Sequence, residues 1–363
     1  MVSVRRWAVV ASGVAVLIAL PAAIAALPVR QSSITAGDLL ARIKGSSHTS
    51  YSGYAESFGG LSLPVTRQFG TVADLFGQTT QLRAWYRGPT DFRVDTITLA
   101  GESDIHAGAT GTWTWDYEDN QATWTGGAIA PAVRLPASGD LLPTNLGRRL
   151  LSEATANDVR RLASRRIAGR SAPGLRLTPH VPGSTIDHVD IWADRQTGLP
   201  LRVDVYGSGT TVLSSRFLDF STHQPSRHDT AFVPPLGARV RTLDQLDIAA
   251  EIDQLGEATP PPSLAGMPRN PSLPSFGAIG VYGSGVTELV AVPLSDRVAF
   301  SLQRQLQSTA VKGKHGLTLA VGPLSLLLTT PDPNTGASWL LTGTLTSATL
   351  DRAAAELAGG ALR

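Results

Sequence analysis

The stretch from Ala168 to Tyr206, AGRSAPGLRLTPHVPGSTIDHVDIWADRQTGLPLRVDVY, constrains the fold most tightly. Leu175 and Leu177 alternate with Arg176 and Thr178 before Pro179 and Pro182-Gly183 break the run. Val189, Ile191 and Ala193 alternate with His188, Asp190, Trp192 and Asp194, and a turn over Asp194–Gly198 follows. Leu201, Val203 and Val205 then alternate with Arg202, Asp204 and Tyr206. Period-two alternation between turn residues predicts three strands of a half-buried antiparallel sheet. What fills the buried face is the functional question.

At 363 residues the chain has room for two domains and a sizeable core. Its 31 basic residues include only Lys44, Lys312 and Lys314 as lysines, so positive charge rests on scattered arginine. Without Arg5 and Arg6, which belong to a leader, 29 basic residues face 29 acidic ones, a balance that argues against a nucleic-acid partner. The leader itself has the form of a secretory signal peptide: Arg5-Arg6, the apolar run Trp7–Leu20, then Ala23-Ile24-Ala25 as a cleavage signature. The same run reaches Leu27, about twenty apolar residues, which also suits a single N-terminal membrane anchor. Both alternatives place the mature chain outside the cytoplasmic membrane. Cysteine is absent, which excludes disulfides, thiolate catalysis, cysteine zinc sites and a lipid-modified N-terminal cysteine. An exported chain without disulfides holds together by core burial, which favours a large sheet.

Along the chain, Thr35 and Asp38 have the spacing of a capping box, and Leu39, Leu40 and Ile43 share one side of a short helix ending near Gly45. Strands are predicted over Tyr51–Phe58, Gln81–Tyr86, Asp91–Leu99, Thr112–Tyr117, Gln121–Thr125 and Arg216–Phe220, with Trp113, Trp115 and Tyr117 on one face. Pro143–Ala156 reads as a helix with the stripe Leu146, Leu150 and Leu151, rimmed by solvated Arg148-Arg149 and Arg160-Arg161. Residues 258–276 carry Pro260, Pro261, Pro262, Pro268, Pro271 and Pro274, a semi-extended linker or wrapping arm. Beyond it, strands and two helices, one capped by Ser295 and one over Thr349–Leu357, form a small α+β unit. YGSG recurs at Tyr206–Gly209 and Tyr282–Gly285, as hairpin turns require.

The chain lacks the G-x-S-x-G, H-E-x-x-H and G-x-x-x-x-G-K-[ST] motifs. His188-Val-Asp190 puts two potential metal ligands on one strand face, with His223 and His228-Asp229 near a loop, but polar residues on the wet face of a sheet explain them as well. Asp187, Asp190, Asp194, Glu102, Asp104, Asp116 and Glu118 offer carboxylates for glycoside hydrolysis, with Trp113, Trp115 and Trp124 to stack on sugars. Acids at strand ends and turns, with tryptophans filling the inner face, are the stronger account. A concave apolar sheet face remains as the positive signal, a holder for an apolar ligand unless its own helices plug it.

The residues quoted resemble the LolA/RseB (MucB)-like superfamily, in the version found in actinobacterial envelopes. The resemblance runs from about Leu39 to Val240 and rests on Tyr51-Ser52-Gly53, Leu61 to Pro64, Leu82-Arg83-Ala84-Trp85-Tyr86-Arg87-Gly88-Pro89, Arg93-Val94-Asp95 and Gly101-Glu102-Ser103-Asp104. It continues through Trp113-Thr114-Trp115, Ala168-Gly169-Arg170, Leu175-Arg176-Leu177-Thr178-Pro179, Trp192-Ala193-Asp194, Thr197-Gly198-Leu199-Pro200-Leu201-Arg202-Val203 and Phe232-Val233-Pro234-Pro235 with Gly237. It implies an α+β fold: a curled antiparallel half-barrel (LolA/LppX/RseB-like) with a helical lid, plus a small α+β C-terminal domain. The expected organisation is residues 1–27 as signal peptide or anchor, 28–257 as half-barrel, 258–276 as linker and 277–363 as the second domain. The expected function is a non-catalytic, cofactor-free carrier or chaperone for lipid or lipoprotein acyl chains. The alternatives are a sensor binding a membrane anti-sigma factor or a transporter, and an envelope glycan hydrolase. The expected cavity wall is Trp113, Trp115, Leu175, Leu177, Ile191, Leu201, Val203 and Val205.

Overall fold

The computed structural model describes residues 31–59, 79–98, 101–127, 137–243, 260–270, 278–331 and 337–359, with Trp7, Val29 and Gly77 besides. The expected leader and the Leu61 to Pro64 segment lie outside the described residues. Twelve strands form one sheet: β1 (Tyr51–Gly59), β2 (Thr79–Gly88), β3 (Asp91–Thr98), β4 (Gly101–Gly108), β5 (Gly111–Asp116), β6 (Gln121–Gly126), β7 (Val159–Ile167), β8 (Arg170–Leu177), β9 (His188–Ala193), β10 (Pro200–Gly207), β11 (Thr210–Ser221) and β12 (Arg239–Leu243). Their spatial order is β12-β6-β5-β4-β3-β2-β1-β11-β10-β9-β8-β7, antiparallel throughout except where β12 runs parallel to β6. The chain closes the middle of the sheet by pairing its first strand with its eleventh, so β7 and β12 are left as edges. The sheet curls, because Ile167 and Ala172 from the β7–β8 edge share a core with Tyr51, Leu82 and Tyr86 from its centre.

Two helices cross the inner face. In α1 (Ala36–Lys44), the Thr35 hydroxyl accepts the Asp38 amide at 3.1 Å and satisfies one of the free donors of the first turn. Helix α2 (Pro143–Leu150) begins with proline, whose missing N–H is no loss at that position. It stops six residues short of the predicted end, and Leu151 and Ala154 fold back into the core instead. At the first YGSG, Ser208 and Gly209 both have positive φ (52° and 76°), which suits the two-residue turn joining β10 to β11. The second YGSG sits one step out of frame, with Gly283 and Gly285 at positive φ.

A second sheet of six strands follows: β15 (Gly280–Ser284), β16 (Thr287–Leu294), β17 (Val311–Lys312), β18 (Gly316–Val321), β19 (Leu324–Thr329) and β20 (Ser338–Gly343), in the order β15-β16-β20-β19-β18-β17. Helices α4 (Asp296–Leu306) and α5 (Ser347–Ala358) accompany it, and α5 packs Leu350, Ala353, Ala354 and Leu357 against the sheet. The described part of the proline-rich stretch, residues 260–270, packs on this unit. Its small hairpin, β13 (Ser263–Leu264) and β14 (Met267–Pro268), drives Leu264 and Met267 into the same core as Tyr282 and Leu289.

Candidate functional site

Register assigns every side chain of the large sheet to a face. Leu175 lies opposite Ile191, Ile191 opposite Val203, Val203 opposite Ser215 and Ser215 opposite Ser57. The next row runs Val159, Leu177, Val189, Val205 and Leu213. Directly opposed residues of an antiparallel pair point the same way, so these rows make an aliphatic floor. Leu39, Leu40 and Ile43 of α1, with Leu146 of α2 and the following Leu151, lie on it and share one core with it. The approach is close: a Cβ added at Gly147 would sit 2.8 Å from the Pro200 ring and 3.3 Å from Val203. Each buried aliphatic side chain stabilises the fold by roughly 1.5–3 kcal/mol.

Polar ties hold the lid at its margins. The Tyr51 and Thr144 hydroxyls meet at 2.7 Å, Lys44 donates to the Ala154 carbonyl at 2.7 Å, and Arg42 donates to the Arg195 carbonyl at 2.8 Å. Burial pushes the Tyr51 hydroxyl up to about 12, against the hydrogen bond from Thr144 and the charge of Arg148. Arg148 itself bonds Asn145 at 2.6 Å, yet its Nη1 is buried without a partner, so it is not the solvated rim residue expected from sequence.

Of the eight expected wall residues, the structure buries Leu175, Leu177, Ile191, Val203 and Val205 in one core with the lid helices. Leu201 is buried in the adjoining core, with Tyr51, Leu82 and Phe217. Trp113 and Trp115 are not with them. Val94 lies opposite Ile105, Ile105 opposite Thr114, and Ala84 opposite Val94, so the inner row on β5 passes through Thr114. Trp113 and Trp115 therefore project from the opposite face, beside His106 and Asp104. There Phe232 roofs them, its ring centroid 5.7 Å from Trp113, 6.1 Å from Trp115 and 4.7 Å from His106. Helix α3 (Arg227–Thr230) and the strap after it deliver Phe232 to that position. Alternation alone assigns residues to two sets without saying which set faces the lid; only the partner strands do.

Three acids of this outer face, Asp190, Asp194 and Asp204, are not solvated, as the wet-face reading expected; each of the three sits under an arginine. Arg176 clamps Asp190 with two bonds of 2.6 and 2.7 Å, Arg202 holds Asp204 at 2.8 Å, and Arg170 holds Asp194 at 2.6 Å. Burial raises the Asp194 carboxyl, but bonds from Arg170 and Thr197 outweigh it and hold the group below its ordinary range. Asp104 goes the other way: burial, with Asp95 beside it, raises its carboxyl to about 7. His188 stacks on Tyr206 and its Nε2 lies 4.0 Å from Asp190, and among the described residues no third metal ligand converges on the pair. Asp229 caps α3 through Ser226.

The loop between β8 and β9 links this sheet to the second unit. Ser184 pairs with Leu345, Thr185 donates its amide to the Thr344 carbonyl at 3.0 Å, and the Gly183 carbonyl accepts the Thr346 amide at 2.8 Å. Gly183 is required there: its φ is +83°, and a Cβ would meet the Thr349 hydroxyl at 2.4 Å. Glu153, beyond α2, accepts from the Gly285 amide at 2.6 Å and from Asn270 at 3.2 Å.

No protein-family model matches the chain, and no curated protein matches it in sequence. Among solved structures, the Pseudomonas aeruginosa MucA/MucB complex superposes with a TM-score of 0.47 at 17% identity, covering 88% of this chain and 96% of that one. MucB determined by itself gives 0.43 at 16% identity with the same coverage. A LolA superfamily protein from Nitrosomonas europaea gives 0.25 at 13% identity, covering 55% of this chain and 99% of its own. The chain is similar to these proteins in architecture, and the chemistry of its site follows from its own residues.

Proposed function

We propose that this chain is an extracytoplasmic carrier or chaperone that holds the acyl chains of lipids or lipoproteins in the trough between the aliphatic floor and the lid of α1 and α2. The observation that carries the reading is how little separates the floor from an apolar guest. Helices of nine and eight residues cover it, lengths at which a helix depends on its packing rather than on its own propensity. Hydrocarbon that displaces a lid side chain leaves the floor as dry as before, so exchange of one for the other costs little. No catalytic step belongs to the proposal, and the place of action is the outer face of the cytoplasmic membrane. Trp113 and Trp115 have no part in the trough.

Displacement of a fluorescent acyl chain by lipid extract tests this. The native protein should take up the probe, and Val203→Glu, which puts a charge on the floor, should lose uptake. Unchanged uptake by a folded Val203→Glu protein overturns the reading. A second reading, a sensor that binds a membrane anti-sigma factor, draws support from the loop that ties the floor strands β8 and β9 to the C-terminal unit. It predicts that removing residues 260–363 abolishes partner capture while acyl uptake persists.

A further inference from the structure

We infer a divalent metal site on the outer face of the large sheet, formed by Asp95, Glu102, Asp104 and His106. The sequence Glu102-Ser-Asp104-Ile-His106 spaces three ligand types two apart, so β4 presents all of them on one face. Asp95 joins them from β3, directly opposite Asp104. One carboxylate oxygen each from Asp95, Glu102 and Asp104 lies within 4.8 Å of the others.

Two further observations separate this group from an ordinary acidic patch. Asp104 is 1% exposed, and its Oδ1 is buried without a hydrogen-bond partner. Its other oxygen takes Arg93 at 3.1 Å, so Oδ1 is the lone pair that the arginine leaves unused. His106 is 5% exposed, and its Nδ1 lies 3.1 Å from the Thr230 carbonyl, which can only accept. Nδ1 therefore carries the proton, and Nε2 presents a bare lone pair 3.9 Å from Asp104 Oδ2. Imidazoles bound to metals are oriented in this way by a carbonyl behind them.

Charge fits as well. Arg93, which bonds both Asp95 and Asp104, supplies one positive charge against three carboxyl groups, so full ionisation of the group leaves negative charge for a divalent ion to balance. An imidazole among carboxylates selects zinc's class over calcium, which takes oxygen ligands alone. Because Thr230 and Phe232 both rest on His106, such an ion fastens the strap to the sheet.

The test is titration of zinc into chelator-treated full-length protein, followed by calorimetry, with cobalt as a second probe read by quenching of Trp115, which lies directly opposite Asp104. One-to-one binding is expected, weakened at least about tenfold by His106→Gln and by the isosteric Asp104→Asn, and unchanged in Asp190→Asn. Asp104→Asn removes a charge that burial penalises, so its folding is secure if His106→Gln proves unstable. Absence of one-to-one binding, or equal affinity in the folded Asp104→Asn protein, overturns the site and leaves Arg93 as the sole counter-charge. Equal binding of calcium overturns the role of His106.

Discussion

The two faces of the twelve-stranded sheet are buried by opposite chemistry, and adjacent residues show it best. Leu175 is wholly buried on the floor among aliphatic groups, whereas Arg176 lies outside, clamping a buried Asp190. The floor is held by volume and the absence of water, interactions that any hydrocarbon of similar shape reproduces. The outer face is held by directional bonds between fixed partners, which no guest replaces. The adaptable face lies under the lid, and the specific face carries the strap.

Substitutions on the two faces should therefore separate. The largest effect is expected from Leu175→Ala, about 3 kcal/mol of stability lost in urea unfolding, since the deletion leaves a cavity in a packed floor. Equal loss in the presence of saturating acyl chain would show that the guest does not reach this position. Gly147→Val comes next: the new side chain collides with Pro200, so about 1–3 kcal/mol of overpacking should lift α2 and speed uptake of a fluorescent acyl probe in stopped-flow traces. Slower uptake would assign the entrance elsewhere.

On the outer face, Arg176→Ala should cost about 1–2 kcal/mol, less than a fully buried pair because the guanidinium remains partly solvated. The two buried aspartates there should answer pH in opposite senses. Asp194 has a depressed pKa, so the stability it supplies is complete above the unfolded value of about 3.9 and is lost as pH falls through the folded one. The melting-point gap between the native protein and Asp194→Asn should close in acid. Asp104 has a raised pKa, so its ionisation opposes folding increasingly as pH rises from about 4 to about 7. In metal-free protein, Asp104→Asn should gain relative stability over that window. The smallest effect belongs to the exposed pair Arg216 and Glu56, 3.2 Å apart, where Arg216→Ala should stay within about 0.5 kcal/mol.

Strands with regular alternation and clear turns were legible from the sequence, and Ala168–Tyr206 folds as β8, β9 and β10. Strand β7 was not legible. Its register shifts between Leu162 and Arg165, so Val159, Leu162 and Ile167 lose period two, and four arginines disguise the rest as a polar rim. Strand β12 was not legible because all five of its residues are exposed and its two apolar ones, Val240 and Leu243, lie three apart, out of step with period two. Leu175, Leu177, Ile191, Val203 and Val205 share one buried face because they belong to consecutive hairpins, where the facing of one strand fixes that of the next. Trp113 and Trp115 have the size of core residues, yet they lie on the outer face, where their cover is Phe232, more than a hundred residues later in the chain. The orientation of His106 was not legible, because it is set by the carbonyl of Thr230, 124 residues later, which sequence spacing cannot reveal.

The loop from Thr178 to Asp187 has both ends rooted in the large sheet, at Leu177 and His188, while its middle is paired to Leu345 of the other unit. A segment anchored at three points transmits displacement instead of absorbing it. A spreading of β8 from β9 would therefore pull on the N-terminus of α5, where Thr346 donates to Gly183. The same loop thus belongs to two cores at once, and neither sheet can shift at this seam without loading the other.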